Sequence, residues 1–456
     1  MKKIYTMTLA ACVTLAMTAC NDFLDTTPKG MVIPTTVADL KGILIDSPWA
    51  STAYPLANLC SDDVFYFQPM ANNVNTNAYL WLDNFYKDSE SDNAWNDSYE
   101  AIYNMNVVID NIMDATEGTE EEKQAIMAEA KVQRAYLFWY LQSLYAKAYD
   151  PATASTDLGI PLPLKPDLEA LLSRSTIEEG ITQILKDLEG AENLLPEVAT
   201  NDYRPTRASV HGLRSRVYFY MGRYDDASAE AEKALAYNSE LCDMRTWAFV
   251  DEGFPILGVT NMPDDNTKSP EKIWHRATSF DMMIQMFCIS DELQALYGDK
   301  NDLRFKFWFS DIANNGKPWE DGHERYLQEL NYNISVPEMM LIRAEALARH
   351  NDETALDILN TLRTYRFMDE YYRPLTTADG TDLLSIVLDE RRRELALSGL
   401  RWLDMKRLCR EGLYTRTLER EFEGTVYRLE PNSPHYVFPI SGQVIAMNPN
   451  IEQNPR

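Results

Sequence analysis

The sequence of 456 residues predicts a mainly α-helical fold of antiparallel helix pairs with long irregular insertions and short strands. Apolar residues recur at spacings of three and four in several long stretches, and short turns join these stretches in twos. Between the pairs lie two segments, about 35–92 and about 238–332, which are rich in Asn, Asp, Pro and aromatic residues. Irregular segments of this length are usually functional, so we expect ligand contacts there.

The first helix pair is predicted over about 93–113 and 120–148. The break at Glu117-Gly118-Thr119 offers Thr119 as an N-cap, and Glu122 three residues later completes a capping box. The second helix carries one apolar stripe, formed by Ala130, Ala135, Leu137, Phe138, Leu141 and Leu144.

The second pair is predicted over about 176–195 and 207–221, and its continuation to about 236 is the clearest repeat in the chain. Gly222 permits a tight turn between helices, and Tyr224 is placed to fill the space beneath it. The small residues Ala227, Ala231 and Ala234 allow two helices to approach closely. This spacing resembles a tetratricopeptide repeat.

A third pair is predicted over about 337–350 and 352–366, and a last long helix over about 382–409. Helix pairs of this kind cannot bury their apolar faces alone, so they stack into a solenoid. We expect one domain over 20–456, with helical pairs at about 93–148, 176–236 and 337–409.

The first twenty residues predict export and a lipid anchor. Lys2 and Lys3 precede an apolar stretch, 4–17, which is too short to span a bilayer, and small residues precede Cys20. This pattern predicts a lipoprotein signal peptide over 1–19 and acylation of Cys20, which would anchor the chain to the membrane from outside. The alternative is an ordinary secretory signal cleaved nearby, with Cys20 incidental.

The formal net charge of the chain is −27, and loss of the two leader lysines takes it to −29. A surface this acidic repels phosphate backbones and anionic lipid head groups, which argues against nucleic acid and against polyanionic ligands. Neutral and cationic ligands remain open.

No motif in the sequence predicts a metal, a cofactor or a catalytic residue. The five histidines lack metal-binding spacing, and there is no nucleophile elbow, phosphate-binding loop or dinucleotide fingerprint. Export permits disulfides, but we favour buried free thiols for the four widely separated cysteines, Cys60, Cys242, Cys288 and Cys409.

Several motifs, in order along the chain, resemble those of the SusD/RagB family of Bacteroidetes surface lipoproteins. The resemblance implies a non-catalytic lid on a SusC-type TonB-dependent outer-membrane barrel, capturing oligosaccharides or, in some members, peptides. We interpret the motifs themselves as structural, with Trp402 as a core anchor and Trp95 and Tyr99 as packing. The motifs are Cys20–Asp25 with Pro28, Ser61–Asp63, Trp95–Tyr99 with Ile102, Tyr103 and Asn106, Glu390–Leu395, Arg401–Arg407, Asn448–Asn450 and Gln453–Pro455.

A glycan site needs flat aromatic faces beside side chains that hydrogen-bond hydroxyl groups. Within the irregular segments, the aromatic candidates are Tyr66, Tyr79, Trp81, Trp308 and Trp319. Plain packing is the competing interpretation for each, above all for Trp81, and Trp274 is expected in a buried strand. The polar candidates are Asn314 and Asp321, with Asn73, Asn77 and Asp83 as further neighbours.

Three functions from different classes compete. A glycan-binding transport lid is favoured, and the same lid capturing oligopeptides is the alternative. The third is a surface glycosidase, which requires two carboxyl groups facing each other across a cleft. Because the chain has 70 Asp and Glu residues, such a pair can always be imagined and carries no weight on its own.

Overall fold

The computed structural model describes residues 34–46, 54–276, 278–279, 287–313 and 315–456. The predicted leader and Cys20 lie outside the described residues. The prediction of a mainly helical fold is confirmed. The α-helices of the described residues are α1 Val37–Asp46, α2 Tyr54–Cys60, α3 Val74–Tyr79, α4 Asn93–Asn111, α5 Glu120–Tyr145, α6 Ile177–Leu188, α7 Arg207–Met221, α8 Tyr224–Tyr237, α9 Asp291–Tyr297, α10 Leu303–Trp308, α11 Val336–Arg349, α12 Thr354–Thr364, α13 Leu383–Glu394, α14 Leu400–Arg410 and α15 Gly442–Met447.

Short strands connect these helices. They are β1 Val64–Tyr66, β2 Ala248–Phe249, β3 Val259–Thr260, β4 Lys272–Trp274, β5 Thr278–Ser279, β6 Phe287–Ile289, β7 Phe309–Ser310, β8 Arg325–Tyr326, β9 Leu330–Asn331, β10 Ile334–Ser335, β11 Leu418–Phe422 and β12 Thr425–Leu429. Over the ranges given above, no helix has both the length and the apolar character needed to cross a bilayer.

The first predicted helix pair is α4 and α5, which pack against each other. Thr119 caps α5 as expected, because its side chain accepts a hydrogen bond from the backbone N–H of Glu122 at 3.2 Å. The Glu122 carboxylate binds Lys41 at 3.4 Å instead of closing the predicted capping box. A matching cap begins α4, where Asp92 accepts from the backbone of Trp95. Helix α1 covers the far side of the pair through Val37, Leu40 and Leu44.

The repeat predicted around Gly222 is confirmed as the turn between α7 and α8. Gly222 has a φ of +79°, which a glycine adopts without strain. Ala227, Ala231 and Ala234 are fully buried where α8 packs on α7 and α11. The Tyr224 ring lies 5.7 Å from the ring of Phe219, so it does pack beneath the turn.

The single long helix predicted over about 382–409 is wrong, because the chain breaks between α13 and α14. Leu397 and Gly399 both have positive φ, at +58° and +77°. The Asn58 side chain holds the break, donating to the carbonyl oxygen of Leu397 at 2.7 Å and accepting from the Gly399 N–H at 2.9 Å. Tertiary hydrogen bonds from α2 therefore replace those of a continuous helix.

The two segments predicted to lack regular helix also differ from expectation. The first contains α1, α2 and α3, and the second contains α9 and α10. Trp274 lies in strand β4 and is buried, as expected, whereas Phe305 to Trp308 belong to helix α10. Side-chain caps at Ser290 and Asp302 start α9 and α10, which are too short to show a helical apolar period.

The family motifs form the buried framework. Trp402 is fully buried, and the rings of Trp95 and Tyr99 lie 5.0 Å apart. Glu390 pairs with Arg393 one turn away at 2.7 Å, and also with Arg304 from α10 at 2.8 Å. Cys60, Cys242 and Cys409 are buried free thiols, as predicted, and Cys288 is buried as well.

A four-stranded antiparallel sheet, in the order β1, β6, β8, β7, supports the candidate site. Phe65 is opposite Cys288, and Cys288 is opposite Arg325, so these three side chains share one face of the sheet. Val64 and Tyr66 point to the other face and are buried. The outer face of this sheet is therefore the Phe65 face.

Candidate ligand-binding surface

Four aromatic side chains cover the outer face of the sheet. Phe65 is 38% exposed, and its ring stacks on that of His323 at 4.5 Å with an interplanar angle of 15°. Phe67 follows Phe65 by two residues and lies beside Trp319 around one central arginine. We call Phe65, Phe67, Trp319 and His323 the aromatic platform.

Arg325 fixes the geometry of the platform from below. Its guanidinium carbon lies 4.6 Å from the ring centroid of Trp319 and 4.9 Å from that of Phe67. The same guanidinium donates to Asp321 at 2.5 Å and to the backbone oxygen of His323 at 3.1 Å. Because Arg325 is only 1% exposed, it positions its neighbours and offers little surface to a ligand.

Asp321 is ionised beside this arginine. Its partial burial opposes ionisation, but the hydrogen bonds from Arg325 and the backbone of His323 outweigh burial and hold the pKa of Asp321 below its usual range. The loop that carries Asp321 is anchored by the backbone N–H of Trp319, which donates to the carbonyl oxygen of Asp311 at 2.8 Å. The platform thus combines fixed ring faces with a carboxylate and an imidazole that accept or donate hydrogen bonds.

Two of the sequence-predicted site residues, Trp319 and Asp321, meet at the platform. Trp308 lies instead at the end of α10 and lines a separate cleft with Trp247. Asn314 lies outside the described residues. The further polar candidates make hydrogen bonds inside the protein. Asn73 caps α3, Asn77 donates to the carbonyl oxygen of Phe85, and Asp83 is hydrogen-bonded to His435.

Tyr66, Tyr79 and Trp81 are in the core, and none of the three is more than 7% exposed. Tyr66 is on the inward face of β1. The guanidinium of Arg420 lies 3.8 Å from the Tyr79 centroid and 4.2 Å from that of Trp81, whose indole N–H donates to the carbonyl oxygen of Cys60 at 2.9 Å. Their ring faces are occupied by protein, so the structure places them in packing and not in ligand contact.

Sequence reasoning missed Phe65, Phe67 and His323. All four residues of the run Val64–Phe67 are apolar or aromatic, so the run is typical of a strand but does not show which of its two faces is exposed. The face that points outward is decided by the pairing with β6, which the run itself does not disclose. Across the described ranges, no group of three or more His, Cys, Asp or Glu side chains is arranged to hold a metal ion.

Comparison with known proteins agrees with this architecture. A family model described as "Starch-binding associating with outer membrane" matches residues 22–219, and one described as "SusD family" matches residues 334–456. Together the two models cover more than half of the chain. The chain belongs to the SusD family.

Individual SusD relatives match over most of their length. The SusD-like protein P38 of Formosa agariphila is 22% identical over 433 residues, which is 79% of this chain and 78% of that protein. A SusD superfamily structure from Bacteroides thetaiotaomicron has a TM-score of 0.73 and 21% identity, covering 92% of this chain and 100% of that one. A laminarin-binding SusD-like protein has a TM-score of 0.67 and 18% identity, covering 92% and 99%. Membership thus establishes the helical SusD fold and a family associated with carbohydrate binding at the outer membrane.

Proposed function

We propose that this protein is a lipid-anchored surface protein that captures glycans on the aromatic platform and acts as the lid of a SusC-type TonB-dependent outer-membrane transporter. The observation that carries the proposal is the platform itself, where Phe65, His323 and Trp319 surround the Arg325–Asp321 pair. The laminarin-binding SusD-like neighbour, whose fold this chain shares, supports a glycan as the ligand.

The chemistry of the platform suits a neutral sugar. The apolar face of a pyranose ring stacks on an exposed aromatic ring, and its equatorial hydroxyls need hydrogen-bonding partners at the ring edge. Phe65 and its stacked neighbour His323 supply the flat face. Asp321 and the imidazole of His323 supply acceptors and a donor, and the strong negative charge of the chain does not repel an uncharged ligand.

The same groups favour binding without bond cleavage. A glycosidase keeps one carboxyl protonated as the general acid, which requires a raised pKa. Asp321 has the opposite property, since its hydrogen bond from Arg325 keeps its pKa low and its carboxylate ionised. Capture and release are therefore the function that we assign to the platform.

The proposed role in transport requires the platform to lie next to a partner protein in the outer membrane. Acylation at Cys20 would anchor the chain, and a TonB-dependent barrel would receive the captured glycan. The outer-membrane description of the matching family model supports this location.

The platform is tested by affinity gel electrophoresis in gels that contain laminarin or another neutral glucan. Trp319→Ala and Phe65→Ala should each weaken retention by about tenfold or more, which corresponds to about 1.4 kcal/mol. Tyr371→Ala is the matched control, since Tyr371 is an aromatic residue with 48% exposure on the loop between α12 and α13 and is not part of the platform. Full retention of both platform variants across a panel of glycans would disprove the assignment.

A further inference from the structure

A second surface, separated from the platform by strand β8, is lined by carboxylates that are not matched by basic residues in its described lining. Arg325 belongs to the platform, whereas the next residue, Tyr326, lines a cleft of about 470 Å³. We call this the acidic cleft. Its defining residues are the indoles of Trp247 and Trp308 and the carboxylates of Asp264, Asp265 and Glu329.

The two indoles of the acidic cleft are held in place from behind. Trp247 and Trp308 both pack on a small buried cluster that contains Met244 and Phe307. The ring of Trp247 lies 5.9 Å from that of Phe307, and the backbone of Trp308 accepts a hydrogen bond from Leu327 at 2.8 Å. Both indoles remain partly exposed, so the protein presents two fixed aromatic walls.

The carboxylates of the acidic cleft fall into two groups. On the floor, Glu271 and Glu394 are each bound by the buried Arg366, at 2.6 and 2.7 Å. Their charge is therefore already compensated within the protein.

The rim acids Asp264, Asp265 and Glu329 form no ion pair within the described part of the chain. The Asn266 amide donates to Glu329 at 3.3 Å, which leaves the charge of that carboxylate in place. Lys268 helps to lower the pKa of Asp265, after the larger effect of Thr267, but its own amine is bound to Asp202 at 3.0 Å.

The described lining of the cleft contains no Lys, Arg or His. Trp faces attract cations through the quadrupole of the ring, and nearby carboxylates add direct Coulomb attraction. A neutral sugar would use the aromatic walls but not the charge of the three carboxylates that form no ion pair within the described ranges. A protonated amine attached to a ring or to an apolar chain would use both.

We propose that the acidic cleft binds the protonated primary amine of a ligand that has a ring or an apolar body, at a site distinct from the platform. The proposal rests on the capture function proposed above and adds a second ligand chemistry to it. Two sources carry this chemistry: the amino group of a 2-amino sugar and the side chain of lysine in a peptide.

The test is isothermal titration calorimetry with two matched ligand pairs. The sugar pair is the β-1,4 trimer of glucosamine and its fully N-acetylated form, which share a ring skeleton but differ in charge. The peptide pair is Gly-Lys-Gly and Gly-Gln-Gly with both ends blocked. At pH 6 and low salt, the charged member of at least one pair should bind at least about tenfold more tightly than its neutral partner, and added salt should reduce the difference.

Variants locate the site. Trp308→Ala and Glu329→Gln should each weaken binding of the amine by about fivefold or more, whereas Trp319→Ala on the platform should not. Glu100→Gln removes one charge from the exposed face of α4 and is the control for net charge. Circular dichroism should show that each variant is folded. If Trp308→Ala is unstable, Glu329→Gln still tests the site, because glutamine keeps the shape of the glutamate side chain.

The outcomes separate the two proposals. Binding of the glucosamine trimer alone identifies an amino sugar, binding of the lysine peptide alone identifies a peptide, and binding of both identifies the amine as the feature recognised. Equal affinity within both pairs, or amine binding that Glu329→Gln and Trp308→Ala leave unchanged, would overturn the cleft proposal. These outcomes leave the platform proposal untouched, because retention of neutral glycans through Trp319 is measured on a different surface with an uncharged ligand.

Discussion

Individual buried arginines carry the contacts between helix pairs. Arg216 from α7 donates to Glu338 at the start of α11, and both side chains are 1% exposed. Arg407 from α14 reaches Glu345 on α11 in the same way. Removing one partner of such a pair leaves an uncompensated buried charge, so these residues hold the stacking of the pairs in one arrangement.

Lys406 is the buried residue with the clearest consequence for pH. Its amine donates to the carbonyl oxygens of Ser143 and Ala146, both at 2.7 Å, at the C-terminal end of α5. Burial lowers the pKa of Lys406 to about 7, whereas an unfolded lysine titrates near 10.4. Between these values the unfolded chain binds more protons than the folded one, so this residue makes stability rise with pH from about 7 to 10.

Lys406→Met should remove that rise. The free energy of unfolding, measured by urea denaturation at pH 6.5 and pH 10, should increase for the parent relative to the variant by on the order of 3 kcal/mol. Lys147→Met is the control, because Lys147 is exposed and pairs with Asp157 at the surface. Parallel pH profiles for the parent and Lys406→Met would show that the amine is not held in a low-pKa environment.

At the scale of elements, the break between α13 and α14 depends on Gly399. A Cβ atom there would lie 2.6 Å from the Cδ1 atom of Tyr54, and the φ of +77° is strained for other residues. Gly399→Ala should therefore lower the free energy of unfolding by at least about 2 kcal/mol more than Gly380→Ala. Gly380 is the matched control, with a similar φ of +83° and nothing within 4 Å of its Cβ position.

Thermal and urea denaturation of the two alanine variants measure this difference. Equal losses for Gly399→Ala and Gly380→Ala would mean that only the backbone angle matters, and that Tyr54 moves aside at no cost. A larger loss at Gly399 alone supports the close approach of α2 to the break.

The fold was predictable from the sequence where local signals and packing agree. The caps at Thr119 and Thr176 and the turn at Gly222 are encoded within a few residues, so these helices were found with nearly correct starts. The end of α6 was predicted at about 195 but lies at Leu188, before Gly190 takes a positive φ of 72°. The break at Gly399 depends on Asn58, more than 300 residues earlier in the chain, and no local pattern reveals that contact.

The candidate site was predictable only in part, for the same reason. Trp319 and Asp321 share a polar loop and were found by composition and spacing. Tyr66 and Phe65 are neighbours on one strand, and only the pairing of β1 with β6 decides that Phe65 faces outward. Tyr79 and Trp81 look like ligand residues in sequence because their partner, Arg420, comes from the distant hairpin β11–β12.

On the scale of the whole molecule, buried arginines are matched by buried carboxylates, and the excess of negative charge lies outside. Within the described residues, seven arginines are among the largest fully buried side chains, and Glu338, Glu345 and Glu390 are buried with them, while the chain as a whole carries a net charge of −27. The platform follows the first pattern, with Arg325 paired to Asp321 beneath its rings, and the acidic cleft follows the second. A neutral glycan and an amine would therefore bind to different sides of strand β8 without competing.

The proposed anchor determines where these surfaces operate and is tested by Cys20→Ser. If Cys20 is acylated, metabolic labelling with radioactive palmitate in a Bacteroidetes host should mark the parent protein and leave the variant unlabelled. The variant should also leave the membrane fraction, because the protein then loses the buried methylenes that contribute about 0.8 kcal/mol each. Cys12→Ser is the control, since it removes a cysteine from the leader but keeps the lipidation position. A Cys20→Ser protein that still carries label and stays with the outer membrane would contradict a lipid anchor at this residue and would require another route to the barrel.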